Sequence, residues 1–344
     1  MRIERVDTTE WGQLLPDTGV EVFHRPEALR VIAEHTDGEL HLLAGFKGQE
    51  PVGLFPVHES RAFGGRLLTS PPLDLGIGRL GPIVTPPSPK RHKQDITNRR
   101  FIDAALEELA VDDSRTLLRL ACSPQYADPR PFQWDGFEAT PAFTYQLDLE
   151  GTDREQLLGA FAGDLRKSIR KREEVDVSIR TGGVEAARQT YETIEQRYTE
   201  QGYETPLPWE FVRDLLEALG DRSRVYVAES GDGEFLSGQL TLYSGGTAYA
   251  WKGGTRTRRS VSPNSLTHWA AIEDILTDPE LASVTTYDLY TANSERLTKY
   301  KRKFAGNQRV YYRIESSGVR MSVAKGLYRM IALRKSPLGE SDKI

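Results

Sequence analysis

Lys299, Lys301, Arg302 and Lys303 fall within one short stretch of Thr298-Lys299-Tyr300-Lys301-Arg302-Lys303-Phe304-Ala305-Gly306. A strand expected over 285–290 runs into a short helix carrying these cations, and a second aromatic strand follows over 310–314. From Arg296 to Lys335 there are twelve Lys/Arg against one Asp/Glu, in a chain of net charge -5. A cationic pole on an acidic body suits an anionic ligand such as a phosphate, a carrier, tRNA or a membrane surface. The alternative is a solvated basic helix without a ligand.

Two other segments could do chemistry. In Asp164-Leu-Arg-Lys-Ser-Ile-Arg-Lys-Arg172, Arg166 and Arg170 share a helix face and could reach one phosphate or carboxylate. The same cations would also favour the helix C-terminal dipole with no ligand at all. In Tyr249-Ala-Trp-Lys-Gly-Gly254 and Arg259-Ser-Val-Ser-Pro-Asn-Ser-Leu-Thr-His268, Ser262 is a good N-cap and Pro263 occupies the first helical position. The helix start then offers N–H groups and a positive dipole end to an anion, unless it is a capped helix and nothing more. No general base stands out. Asp288, in an otherwise apolar strand, and Tyr203 are candidates, while a lone His268 is more often structural.

The elements that must position these residues follow from periodicity. At 344 residues the chain exceeds one ordinary core, so two domains are expected. Charged residues at 28% and hydrophobic ones at 38% describe a soluble globular chain, with no apolar run long enough to span a bilayer. No signal-peptide core follows Met1, which predicts a cytoplasmic location. The single Cys122 excludes an internal disulfide and a cysteine metal site, and no metal is expected. The first half reads as a helix over 26–35, a hairpin over 40–57, a glycine/proline-rich stretch over 70–82, a helix over 96–109 and strands over 116–122 and 142–149. The second half reads as helices over 153–171, 184–201, 208–219 and 263–276, with strands over 175–180, 224–229, 236–243 and 248–252. Leu42-Leu-Ala-Gly-Phe-Lys-Gly with Pro51-Val-Gly53-Leu, and Val225-Tyr-Val-Ala-Glu-Ser-Gly with Leu236-Ser-Gly238-Gln-Leu, suggest two copies of one α/β module.

With these motifs in order, residues 10–314 resemble the FemAB-like and CelD/BcsL-like branch of the GNAT acyltransferase superfamily. The basic helix motif Arg-x-x-Ile-Arg-Lys matches Arg166 to Lys171, and Pro-Asn-x-Leu matches Pro263 to Leu266. Tyr-Asp-Leu with a following Tyr/Phe-Lys-x-x-Phe-Gly matches Tyr287-Asp-Leu and Tyr300-Lys301-Arg-Lys-Phe304-Ala-Gly306, with Ala305 a departure. The superfamily's pyrophosphate motif, Arg/Gln-x-x-Gly-x-Gly/Ala, falls on Arg259-x-x-Ser262-x-Asn264, with both glycines replaced.

The resemblance implies an α/β (α+β) fold of two tandem GNAT-like domains, each a mixed, mostly antiparallel sheet flanked by helices, with a cleft between them. The expected boundaries are 1–149, 150–316 with the donor site, and a basic amphipathic tail over 317–344 that could lie on an anionic membrane or dock on the protein itself. The implied activity is N-acyl transfer, of an acyl or aminoacyl group from an activated donor to an amine of a cell-envelope or exopolysaccharide precursor. The donor would be acyl-CoA or aminoacyl-tRNA, with no tightly bound cofactor. Rival readings are an aminoacyl-tRNA-dependent peptidyltransferase and a non-catalytic binding or scaffold protein. Lys301, Asp288 and Tyr203 are the expected catalytic residues, with Lys301 at the donor's reacting end, where a cation stabilises an oxyanion. Lys252, Arg259, Ser262, Asn264, Ser265 and Phe304 are expected at the donor, and Arg166 and Arg170 at the substrate. Implied partners are a small-molecule or lipid- or sugar-linked amine, tRNA, and the inner membrane face through the basic tail.

Overall fold

Glycine opposite glycine sets the first structural feature. A computed structural model of the chain describes residues 1–62, 64–172, 176–200, 202, 205, 207–256 and 261–317. It divides into two units, one of Met1–Ala142 with the stretch from Val310, the other of Phe143–Arg309.

In the first unit the chain forms β1 (Arg2–Arg5), α1 (Thr8–Leu14), α2 (Pro26–Glu34), β2 (Glu39–Lys47), β3 (Glu50–Ala62), β4 (Gly65–Ser70), β5 (Ile83–Val84), α3 (Arg91–Glu108), β6 (Thr116–Ala121) and α4 (Arg130–Trp134). Asp7 starts α1 by accepting from the Thr9 and Glu10 amides, and Pro26 supplies the preset φ that opens α2. In the β2/β3 hairpin Gly45 faces Gly53. A Cβ built on either would fall 2.4 to 2.6 Å from the Phe101 ring, so the pair opens a slot that only glycine permits. Phe101 then anchors α3 to a core with Leu43, Phe55, Leu68, Ile102 and Leu118. The strands pair in the order β1-β2-β3-β4-β6, all antiparallel except β4/β6.

The chain continues through β7 (Glu138–Asp148), α5 (Arg154–Ala160), α6 (Gly163–Arg170), β8 (Val177–Gly182), α7 (Val184–Glu200), α8 (Trp209–Leu219), β9 (Ser223–Ser230), β10 (Phe235–Ser244), β11 (Thr247–Thr255), α9 (Pro263–Thr277), β12 (Thr286–Thr291), α10 (Glu295–Lys301) and β13 (Asn307–Glu315). In the second unit the strands pair in the order β8-β9-β10-β11-β12, again antiparallel except for the last pair. Residues Thr144–Asp148 of β7 add antiparallel to β12, and residues Arg313–Glu315 of β13 add antiparallel to β6 in the first unit. Each unit thus repeats the same strand order, and the repeat read from two hairpins extends over the whole module. Two GNAT-like units of mixed, mostly antiparallel sheet flanked by helices are what the sequence led us to expect.

The single helix expected over 153–171 is two helices. Phe161 adopts an extended ψ of 152° between them and turns its ring into the core, edge-on to Trp269 at 5.6 Å and Phe304 at 5.4 Å. Burying that ring favours the break, and the Ala162 amide, freed by it, donates to the Lys303 carbonyl. Among the described residues no helix is long and apolar enough to cross a membrane.

Candidate functional site

Strands β11 and β12 run parallel but pair only from Thr247/Thr286 to Tyr249/Asp288. Both continue past that point, β11 on β10 to Thr255 and β12 on β7 to Thr291. Beyond the parting, β11 carries a bulge in which Leu240 faces Lys252 and Thr241 faces Ala250, leaving Trp251 as the extra residue. On the other side, Tyr290 takes a left-handed φ of 65°, unusual for a bulky residue. The two strands therefore part with each bent locally.

Asp288 holds the β12 bend. It is fully buried, and its Oδ1 accepts from the Tyr290 amide at 2.6 Å and the Thr144 hydroxyl at 2.6 Å, while Oδ2 accepts from the Gln146 amide at 2.9 Å. With three donors on its two oxygens, this carboxylate is a structural acceptor for the turn. Lys301, at the end of α10, donates its ammonium to the Leu289 carbonyl at 2.5 Å and the Thr291 carbonyl at 2.6 Å. These are carbonyls of the β12 segment that no longer pairs with β11, so the cation is fixed at the parting by charge-assisted hydrogen bonds.

The start of α9 lies beside it. The Ser262 side chain caps the helix through the Ser265 amide, and Asn264 donates to the Tyr300 hydroxyl at 2.8 Å, with Ser265 Oγ 3.2 Å from the same oxygen. The Ser262 amide donates to Ser168 Oγ of α6 at 3.0 Å, which brings α6 alongside the start of α9. His268, one turn along, is buried, and its Nδ1 lies 2.7 Å from the Tyr287 hydroxyl. Burial, and then the nearby Lys301 charge, push the His268 pKa down to about 3. Tyr287 and Tyr300 are pushed upward, chiefly by burial, and keep their protons. The imidazole is therefore neutral at neutral pH and too weak a base to hold a substrate proton.

Phe304 is fully buried, its ring against those of Phe161, His268 and Tyr300 at 5.3 to 5.5 Å. It packs in the core of the unit and forms the floor beneath Tyr300. Lys252 lies on β11 after the bulge, partly buried, and burial pushes its amine down to about 8. Arg166 donates to the Gly159 carbonyl at 2.8 Å and Arg170 to Glu155 at 3.3 Å, and both line a surface hollow of about 300 Å³ with Gly163, Lys167 and Lys171. Tyr203, Arg259 and the expected basic tail beyond Ser317 lie outside the described residues.

The structure thus gathers Lys301, Asp288, Asn264, Ser265 and Phe304 around the parting, and sets Arg166 and Arg170 on the neighbouring helix. Sequence reasoning met Tyr287 and Tyr300 only as motif positions, without a role in the site, and passed over Ser168. Tyr300 had a signal, since it stands four residues before Phe304 and the two rings meet at 5.5 Å. Ser168 had none, because its partner is 94 positions away.

The model of the acetyltransferase (GNAT) domain family matches residues 160–302. That stretch lies in the second unit and matches the GNAT domain over less than half of the chain. The fold recurs in solved structures at low identity. FemX aligns with a TM-score of 0.68 and 12% identity, over 96% of this chain and all of that one. L-PGS from Bacillus licheniformis aligns at 0.56 and 11%, over 97% and 99%. A tandem GNAT protein from the clavulanic acid biosynthesis pathway aligns at 0.50 and 14%, over 92% and 99%. No curated protein matches the sequence. The chain shares the FemX fold, the GNAT resemblance is met over residues 160–302, and the parted strands, the capped α9 and Lys301 all lie inside that matched stretch.

Proposed function

We propose that the GNAT domain transfers an acyl or aminoacyl group from an activated donor to an amine, and that the donor is an aminoacyl ester carried on tRNA. The observation that carries the transfer is the parting of β11 from β12 with the Lys301 ammonium fixed at its edge. A neutral amine attacking an ester carbonyl there forms an oxyanion, and a cation held in a partly dry site favours that charge. No described carboxylate is positioned to take the proton, so it passes to water or to the departing hydroxyl.

The donor reading rests on the start of α9. Where the superfamily leaves glycine amides open to a pyrophosphate, here the Ser262 amide is taken by Ser168 and the Ser265 amide by Ser262. That cradle is partly closed by the protein's own groups. The surface row Arg166, Lys167, Arg170 and Lys171 beside it suits an extended polyanion, whose binding by several cations is strongly salt-dependent. A similar fold described as the C-terminal domain of a putative lysylphosphatidylglycerol synthetase from Agrobacterium fabrum (TM-score 0.53, 10% identity) supports a lipid- or envelope-linked acceptor. The second reading, an acyl-CoA donor, is favoured by α9 itself, a capped 15-residue helix with its dipole end at the site.

Thermal-shift titration with bulk aminoacyl-tRNA, acetyl-CoA and longer acyl-CoAs at two salt concentrations separates these readings, since a ligand of the native state raises Tm by mass action. A salt-sensitive rise with tRNA alone is the expected result. A rise with a CoA ester alone replaces the donor, and no rise with any of them favours a non-catalytic binding protein.

A further inference from the structure

We infer that the start of α3 and the exposed Trp134 of α4 form one surface that lies on an anionic lipid bilayer. Trp134 at 60% and Ile96 at 48% are the most exposed large apolar side chains among the described residues, and both belong to the first unit. Arg99 links them. It stands three residues after Ile96 on α3, and its guanidinium lies 5.5 Å from the centre of the Trp134 ring. Arg130 lies 5.6 Å from the same ring and reaches back to Asp95, beside Ile96, at 3.2 Å. Asp135 holds Arg99 at 2.8 Å and Asp128 holds Arg130 at 2.7 Å. The two guanidiniums over the ring are thus fixed in place, and the indole is presented outward on a firm support.

The charge on α3 identifies the occupant. Lys90, Arg91 and Lys93 crowd the start of the helix, where no side chain supplies a cap and no acidic residue stands in the first turn. Glu107 and Glu108 close the other end, whose last turn has no basic residue. The helix is therefore charged against its own dipole at both ends, an arrangement that its own stability disfavours. Lys93 and Arg100 stand three before and four after Ile96 and are exposed, and among the described residues neither has a carboxylate partner. Exposed apolar side chains ringed by cations without counter-ions complement an anionic membrane. The indole and Ile96 enter the boundary between headgroups and acyl chains, while the lysines and Arg100 meet the lipid phosphates. Arg99 and Arg130 occupy ring face that a stacked nucleic-acid base would need, and Ile96 offers no such face, so the surface suits lipid better than RNA.

The test titrates the full chain with vesicles of phosphatidylglycerol and phosphatidylcholine, with and without brominated acyl chains, and follows tryptophan emission. Of the five tryptophans, Trp11, Trp251 and Trp269 are buried and Trp209 is partly buried, so lipid quenching reports on Trp134. The chain is expected to bind the mixed vesicles and not phosphatidylcholine alone, with brominated lipid quenching the wild type and not Trp134→Phe. Lys93→Gln together with Arg100→Gln should weaken binding about 25-fold, at about five-fold for each cation. No binding to the mixed vesicles overturns the inference. Binding with Trp134 unquenched, as would follow from attachment through another basic segment, overturns it as well. A change in Trp134 emission with an RNA oligonucleotide but with no vesicle replaces lipid by nucleic acid and has the same force. The surface lies in the first unit and needs no acyl transfer, so this inference and the proposed function can fail separately.

Discussion

Buried neutral His268 makes the second unit acid-sensitive by a calculable amount. The ordinary imidazole pKa of 6.5 falls to about 3 in the folded chain, so on acidification the unfolded chain takes a proton that the folded one refuses. Stability is then complete above the unfolded value and is lost as pH falls from 6.5 toward 3. Between about pH 7.5 and about pH 5, nearly one extra proton binds the unfolded state, and this corresponds to about 2 kcal/mol. His24, in the first unit, is pushed down to about 4 by burial and adds a loss of the same sign there. Urea denaturation at the two pH values, for wild type and for His268→Gln, isolates the His268 contribution. The variant should lose about 2 kcal/mol less over this interval, although it starts lower for want of the Tyr287 contact. An identical pH dependence for the two proteins would mean that His268 titrates normally, and the argument from its burial would fail.

Other substitutions test the parts of the site separately. Asp288→Ala leaves the Gln146 amide and the Tyr290 N–H without this acceptor, while the Thr144 hydroxyl keeps the Tyr290 carbonyl, and should cost about 2–3 kcal/mol in a urea melt; Asp288→Asn should recover over half of that by keeping one acceptor oxygen. Gly238→Ala places a Cβ 1.8 Å from Thr190 Oγ1, so α7 must move off β10, and a loss of about 1–3 kcal/mol should appear as a lower Tm. Ser262→Ala removes the α9 cap and should cost about 1 kcal/mol, read in the same way.

Much of this architecture was legible because its signals are local. The hairpin at 40–57 is marked by its turn and its apolar strands, and β2 and β3 form there, with β3 running on to Ala62 beyond the apolar run. The α9 start was readable from Ser262 and Pro263, and the structure shows both at the expected cap positions. The break at Phe161 was not legible, since Leu157, Leu158, Phe161, Leu165 and Ile169 keep helical spacing across it. What breaks the helix is a tertiary contact with Trp269 and Phe304, more than a hundred residues away in sequence. Within the site, the charge of Lys301 was visible but its partners were not. Two backbone carbonyls of β12 carry no sequence signature, and only the parting of the strands leaves them to the lysine. Asp288 stood out as a carboxylate in an apolar strand, yet its use as the acceptor for a left-handed Tyr290 depends on a bulge that the sequence does not announce.

Acyl transfer at the parted strands is tested by release of a radiolabelled amino acid from aminoacyl-tRNA by the purified full chain in the presence of amine-bearing lipid or cell-wall precursors. Wild-type protein is expected to move label to an acceptor in an amide bond. Lys301→Met, which keeps the aliphatic stem and removes the cation at the Leu289 and Thr291 carbonyls, should slow transfer on the order of a hundred-fold while the chain stays folded. Label lost no faster than by spontaneous hydrolysis, together with no transfer from acetyl-CoA, would contradict it.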